Sequence, residues 1–400
     1  MTPKSFGVLP LALSVAVGIG CSEPSNQTET TASASAASSG SGASGGYGGS
    51  STSAGGSGGT GSGGFVVSDC GASELADVAQ AMPAGFTELV GTGLDDDLLD
   101  AGGGHHILQY SDKGVWDPNT CQALFIGGGH LAAVKYIAYS ASQNVWYQAP
   151  NPSWWCDTFL VSNPYECSTH AYGHNALDPA TGQLYFRKFN NQDVYTHQVE
   201  ATLTGVWGNA PALPDGGSCI ATALEFFPER NQLVYVDCSA QGLYTWTPGA
   251  GSWETINGPF AMGPYHTYGV YNPVHHVMLF GLGNGSTGLH KLEVGGTVTQ
   301  VAAPPREFHP SPEDTGTFRI FTVDPVSGDY LAYAPNGDLY AYDVAADSWA
   351  DTGVTGPPGL QIAIPITSYG VVMFVSQAPA AAFLYKHVAA AALTGSSPRR

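Results

Sequence analysis

The sequence predicts an all-β propeller of six blades, and three observations carry that expectation. Charged residues make up only 11% of the chain while Gly reaches 53 and Pro 27, a composition of short strands and turns rather than of helices. Prolines set in turns recur at the interval of a four-stranded blade. Two further landmarks, an aromatic or His and then a Trp, keep step with those turns.

The N-terminus reads as an export signal. Lys4 precedes an apolar run from Phe6 to Ile19, too short for a permanent membrane span and suited to a signal peptide over residues 1–21. The run ends in Gly18-Ile19-Gly20-Cys21, which resembles the bacterial lipobox. That resemblance implies lipidation of Cys21, although Gly18 stands where Leu is usual. Residues 22–64 are almost wholly Ser, Gly, Ala and Thr, too poor in apolar surface to offset their ordering entropy, and read as a disordered tether. The chain is therefore expected at the bacterial cell envelope, on the outer-membrane surface, meeting the membrane only through its lipid.

Residues 65–104 form an N-terminal segment and residues 105–388 the propeller. Asp117-Pro118, Asp178-Pro179, Phe227-Pro228, Asn272-Pro273 and Asp324-Pro325 each sit between two hydrophobic runs, at spacings of 61, 49, 45 and 52 residues, with Tyr369-Gly370 in the equivalent place 45 residues later. About 16 residues after each turn comes Tyr136, Tyr195, Tyr244, His290, Tyr340 or Tyr385; about 26 residues after it comes Trp146, Trp207, Trp253 or Trp349, with blade four and the short last blade lacking one. In the segments LFIGGG, YIAYSASQNVWYQAP and LYAYDVAADSWADTG the chain resembles the kelch repeat family. The resemblance spans residues 105–388 and implies the fold. It decides little about activity, because such propellers host oxidases, lyases, epimerases and binding scaffolds.

The last blade, residues 361–388, supplies only QIAIPITS, GVVMFVSQ and AAFLYKH. A segment of the right kind, Gly85 to Val90, lies upstream, and its return to the last blade would remove an open sheet edge. A seventh blade hidden in residues 65–104 would have to be degenerate. Residues 389–400 read as a disordered tail.

Cysteine usage agrees with export. Apart from Cys21 there are six cysteines, an even number for an oxidising compartment. Cys219 and Cys238 are symmetric about the turn at Pro228 and are expected to pair. Cys156–Cys167 would close one long loop, and Cys70–Cys121 follows by elimination.

Blade topology also sorts residues by face. The turns between first and second strands lie on one face, which is expected to carry little else, and the blade-to-blade loops lie on the other. At the latter come His105, His106, His130, His170, His266 and His309, with His174 lower on a strand, and Arg187, Lys188, Arg306 and Arg319. In a chain with 32 acidic and 12 basic side chains, a cationic, imidazole-rich mouth suggests an anionic ligand, while the formal charge of −20 argues against nucleic acid.

His170, Tyr172 and His174 alternate along one strand, and Tyr265, His266 and Tyr268 place phenols beside an imidazole at the start of blade four. Tyr and His together suit proton abstraction and return. Arg187-Lys188 replaces the paired glycines of the repeat, and Trp154-Trp155 offers a platform for sugar rings. Zn held by several histidines or Ca held by Asp95, Asp96, Asp97 and Asp100 would be compatible with these residues, and neither is required.

The leading expectation is a monomeric surface enzyme that cleaves an anionic polysaccharide by β-elimination, similar to the propeller lyases. Tyr265, His266, His170, His174, Tyr172 and His130 are the catalytic candidates. Arg187, Lys188, Arg319, Trp154, Trp155, Tyr268 and His106 are the substrate-binding ones. The alternatives are a glycan-binding or adhesion lipoprotein without catalysis and a copper radical oxidase similar to galactose oxidase. The last would need Cys219 as a free thiol.

Overall fold

Short runs of β-branched and aromatic residues, each ended by a turn, fold into six four-stranded antiparallel sheets. The computed structural model describes residues 70–102, 105–128, 134–152, 170–188, 192–214, 222–239, 241–309 and 316–388. Blade one comprises Val115–Asp117, Gln122–Gly127, Lys135–Ser140 and Val145–Gln148. Blade two comprises Asn175–Asp178, Gln183–Arg187, Val194–Gln198 and Trp207–Asn209. Blades three to five repeat this order, with first strands Leu224–Phe227, Tyr268–Asn272 and Ile320–Val323.

The sixth blade is built from both ends of the propeller. Leu360–Ile366, Val371–Gln377 and Ala380–Lys386 supply three strands, and Gly85–Leu89 adds the fourth with Gly85 opposite Lys386 and Leu89 opposite Ala382. The upstream segment expected to close the ring does so, and no seventh blade is present among the described residues.

Four of the turns share one device. Asp117 accepts from the Asn119 and Thr120 amides, Asp178 from Ala180, Asn272 from Val274 and His275, and Asp324 from Val326 and Ser327. The Asx side chain thus satisfies turn N–H groups while the following Pro presets φ. Blade three lacks the Asx and instead makes a short 3-10 turn, Pro228–Arg230, ended by Asn231 at φ 48°.

Apolar side chains collect between the blades rather than at the axis. Leu124 and Ile126 meet Leu184 and Phe186 between blades one and two; Tyr185 and Ala176 meet Phe226 and Tyr235 between two and three. Equivalent clusters join the remaining neighbours. The sixth, between blades six and one, also buries Leu75 and Ala79 of a helix, Glu74–Ala81, that the sequence reading had not anticipated. Ser73 caps it through the Ala76 amide, and Lys386 donates to the carbonyls of Ala79 and Met82 at its far end.

Cys70 and Cys121 form a disulfide that ties this N-terminal segment to the first turn of blade one, as elimination had suggested. Cys238 is also disulfide-bonded, whereas Cys219, Cys156 and Cys167 lie outside the described residues. The Cys70–Cys121 bridge closes a loop of 51 residues, so replacing both cysteines by Ser is expected to cost about 2–4 kcal/mol. Urea unfolding of the double variant without reductant measures this, and a loss below about 1 kcal/mol would show that strand pairing alone closes the ring.

Candidate functional site

The innermost strands of the six blades run parallel to one another around the axis, with Lys113 bridged to Ala363, Ser111 to Tyr172 and Gly173 to Ala223. Their N-terminal ends therefore gather at one mouth, and what precedes each strand becomes the lining. Here two residues adopt backbone that L side chains rarely visit: Tyr172 at φ 37° and His266 at φ 57°. Each costs on the order of 1 kcal/mol and persists only where its surroundings fix it.

Those surroundings are visible. The amides of Ala171 and Tyr172 both donate to the Tyr110 carbonyl, and the Asp112 amide donates to the Tyr172 carbonyl. On the other side the Asn284 amide donates to the Tyr265 carbonyl. Gly283 makes room for that contact, since a Cβ there would lie 2.5 Å from the Tyr265 oxygen. The two strained residues meet, with ring centroids 5.2 Å apart. They come from blades two and four, which blade three separates, so their contact lies over the channel mouth.

A set of proton-carrying groups surrounds this pair. The Tyr172 hydroxyl lies 2.7 Å from His170 Nδ1, and Tyr110 stacks on the His170 ring at 4.4 Å. His266 Nδ1 donates to Asn284 Oδ1 at 2.8 Å, which leaves Nε2 as the lone-pair nitrogen of a neutral ring. His309 lies edge-on to His266 at 5.7 Å. Burial lowers the His266 pKa to about 4, partly opposed by the Asn284 hydrogen bond, and burial pushes the Tyr172 phenol well above its ordinary value. At neutral pH the pair is therefore a neutral imidazole beside a protonated phenol.

Beneath lie charged groups. Arg319 is 1% exposed and donates through Nη2 to the Gln109 carbonyl. Asp112 is buried beside it, and loss of solvent lifts its carboxyl to about 6 despite the opposing pull of Arg319 and Lys113. Arg187 is fully buried, reaches His174 and Thr222, and lies under the face of Tyr235 at 5.0 Å. His174 is held neutral by burial and by Arg187.

The structure thus brings Tyr172, His170, His266 and Tyr265 together, but 170–174 is not the alternating strand expected: the strand starts at Asn175, and Tyr172 at φ 37° breaks the pleat, so His174 lies just before the strand and points to Arg187. Tyr265 is 45% exposed beside His266. Tyr172 and His170 are themselves buried, at 4% and 7% exposure, and Arg187, Arg319 and Tyr268 are buried too. Tyr268 donates to the Arg319 carbonyl at 2.7 Å, so the direct substrate contacts expected of Arg187, Arg319 and Tyr268 are not available to these buried side chains. Lys188 follows the second strand of blade two, with its amide donating to the Asp193 carbonyl. His106 lies in a two-residue strand opposite Asp100. His130, Trp154 and Trp155 lie outside the described residues.

Tyr110, Asp112 and Asn284 were not singled out from the sequence. Asp112 has a retrievable signal: it precedes an innermost strand, where a polar residue has to face the ring. Among the described residues no group of three His, Cys, Asp or Glu side chains is arranged to hold a metal ion. Asp95 caps the short helix Asp96–Leu99 through the Leu98 amide, so the acidic run considered for Ca is a helix start there.

The two mid-range pKa values oppose one another. Between pH 3.8 and about 6 the folded Asp112 holds a proton that the unfolded chain releases, so its contribution to stability is full at low pH and is lost as pH rises through that window. His266 acts the other way: its contribution is full above 6.5 and is lost as pH falls to about 4. Each is worth about 3 kcal/mol at a little over 1 kcal/mol per pKa unit. Asp112→Asn removes one side of the balance, so its stability is expected to fall by about 2 kcal/mol more than that of the wild type between pH 6.5 and 4. Parallel urea curves for the two proteins would sink this account.

No protein-family model matches the chain, and no curated protein matches it. Similar solved structures include a structural-genomics protein of unknown function from Bacteroides thetaiotaomicron VPI-5482, at 11% identity and TM-score 0.49, covering 76% of each chain. Others are a chain of a nidogen/laminin complex, at 10% identity and TM-score 0.42 over 62% of this chain and 80% of that one, and a chain of a mitotic checkpoint complex, at 11% identity and TM-score 0.46 over 72% and 94%. Likenesses at this level bear on nothing beyond the fold.

Proposed function

We propose that the channel mouth is an acid–base site for an anionic extracellular polysaccharide, which it cleaves by β-elimination, on a kelch-type propeller carried at the cell envelope by a lipid on Cys21. The observation that supports this most is the meeting of strained Tyr172 and His266 above buried cations. In the reaction, His266 Nε2 takes the proton alpha to a uronate carboxylate and Tyr172 gives its proton to the departing glycosidic oxygen. His170, with its proton on Nδ1, then faces the phenolate.

The low pKa of His266 suits this order of events. A carboxylate arriving beside it favours the charged imidazole and raises its basicity only when substrate is bound. Arg319 and Arg187 contribute a positive field from below in an otherwise acidic chain.

The test is incubation with a panel of uronate polymers while following ultraviolet absorbance of the unsaturated product. A rise with one polymer supports the reading. Binding to a polymer with no product from any of them would overturn catalysis and assign the mouth to glycan capture.

A further inference from the structure

We infer that the opposite face holds a second ligand site, a cavity for a small uncharged phenol. The turn face had been expected to carry little beyond turns. It contains an opening of about 120 Å³ lined from all six blades, by Trp116, Leu177, Phe226, Val270, Phe321 and Pro365 among others. A closed cavity of about 150 Å³ holds a benzene ring; this one is somewhat smaller but opens to solvent, so part of a substituted ring can project from it.

The floor is what makes this a site. Lys113 crosses from blade one to blade three, where Nζ donates to the Leu224 carbonyl at 2.7 Å and to Glu225 Oε2 at 3.0 Å. Glu225 also accepts from the amides of Phe226 and Tyr271. Both side chains line the cavity. An ammonium has three hydrogens and this one has two acceptors, so one donor remains on a group that lines the cavity.

Charge then selects the occupant. Lys113 and Glu225 sum to zero, so the floor offers no net attraction to an anion, and a carboxylate would meet Glu225. A phenol hydroxyl accepts from Lys113 and donates to Glu225, while its ring lies against the aromatic and proline walls. This site does not depend on the lyase reading of the other mouth.

Calorimetric titration with p-cresol, toluene and 4-methylbenzoate tests the assignment. p-Cresol is expected to bind about tenfold more tightly than toluene, from the hydroxyl's hydrogen bonds, and 4-methylbenzoate more weakly than p-cresol. Thr367→Trp and Pro179→Trp, two half-buried rim changes, are each expected to weaken p-cresol by tenfold or more. The inference is overturned by absence of p-cresol binding, by tighter binding of 4-methylbenzoate, or by both rim variants binding as the wild type does. Competition between p-cresol and a uronate polymer would also overturn it, by moving the phenol to the other mouth.

Discussion

Tyr172→Phe is expected to lower turnover of the anionic polymer by about 10²–10⁴-fold, the usual worth of a positioned proton donor, with affinity nearly unchanged. The ring keeps its packing beside Tyr110 and His266 while the hydroxyl that faces His170 is gone. His266→Gly separates chemistry from architecture more sharply. Glycine adopts φ 57° without strain, so about 1 kcal/mol is recovered against the lost Asn284 hydrogen bond. At pH 7, where the ring is neutral folded and unfolded, the strain relief offsets part of the lost ring contacts and of glycine's chain entropy, so stability should fall by less than about 2 kcal/mol while turnover falls as it does for Tyr172→Phe. A destabilisation of about 2 kcal/mol or more would show that the imidazole is there for packing, and that the strain has no catalytic purpose.

Lys113→Met should produce the largest loss of stability, about 3–5 kcal/mol, because it strands Glu225 beneath the ring without its cation. Both side chains are largely withdrawn from water, at 11% and 15% exposure, so the ordinary discount for a surface ion pair does not apply. Joint replacement, Lys113→Met with Glu225→Gln, is expected to restore much of that loss. Unfolding midpoints of the two single variants and the double give the coupling directly. Additive losses would mean that the pair is solvated through the cavity.

The blades were legible because their signals are local. Alternating apolar residues, Asx-Pro turns and Trp-bearing fourth strands each lie within a few residues of one another, and the six sheets follow them. The helix at Glu74–Ala81 escaped that reading although Ser73, Glu74 and Asp77 mark its start, because a chain so rich in turns biases every short segment toward strand. The mouth was partly legible, since His170, Tyr172 and His266 all precede innermost strands. Their backbone strain was not, because positive φ in Tyr and His is imposed by Tyr110, Asp112 and Asn284 rather than by the residues themselves. The Lys113–Glu225 pair was beyond reach of any local pattern: its members are 112 residues apart and meet across the axis.

A ring sealed by its own two ends cannot be finished early. Gly85–Leu89 has to wait for Ala380–Lys386 before it has a partner, so during synthesis five blades stand beside an unpaired edge until the last stretch of chain arrives. Clipping at either end of the propeller unzips the same sheet. Completeness of the polypeptide is thereby checked at one seam, and a truncated copy would expose a strand that proteases and neighbouring chains can recognise.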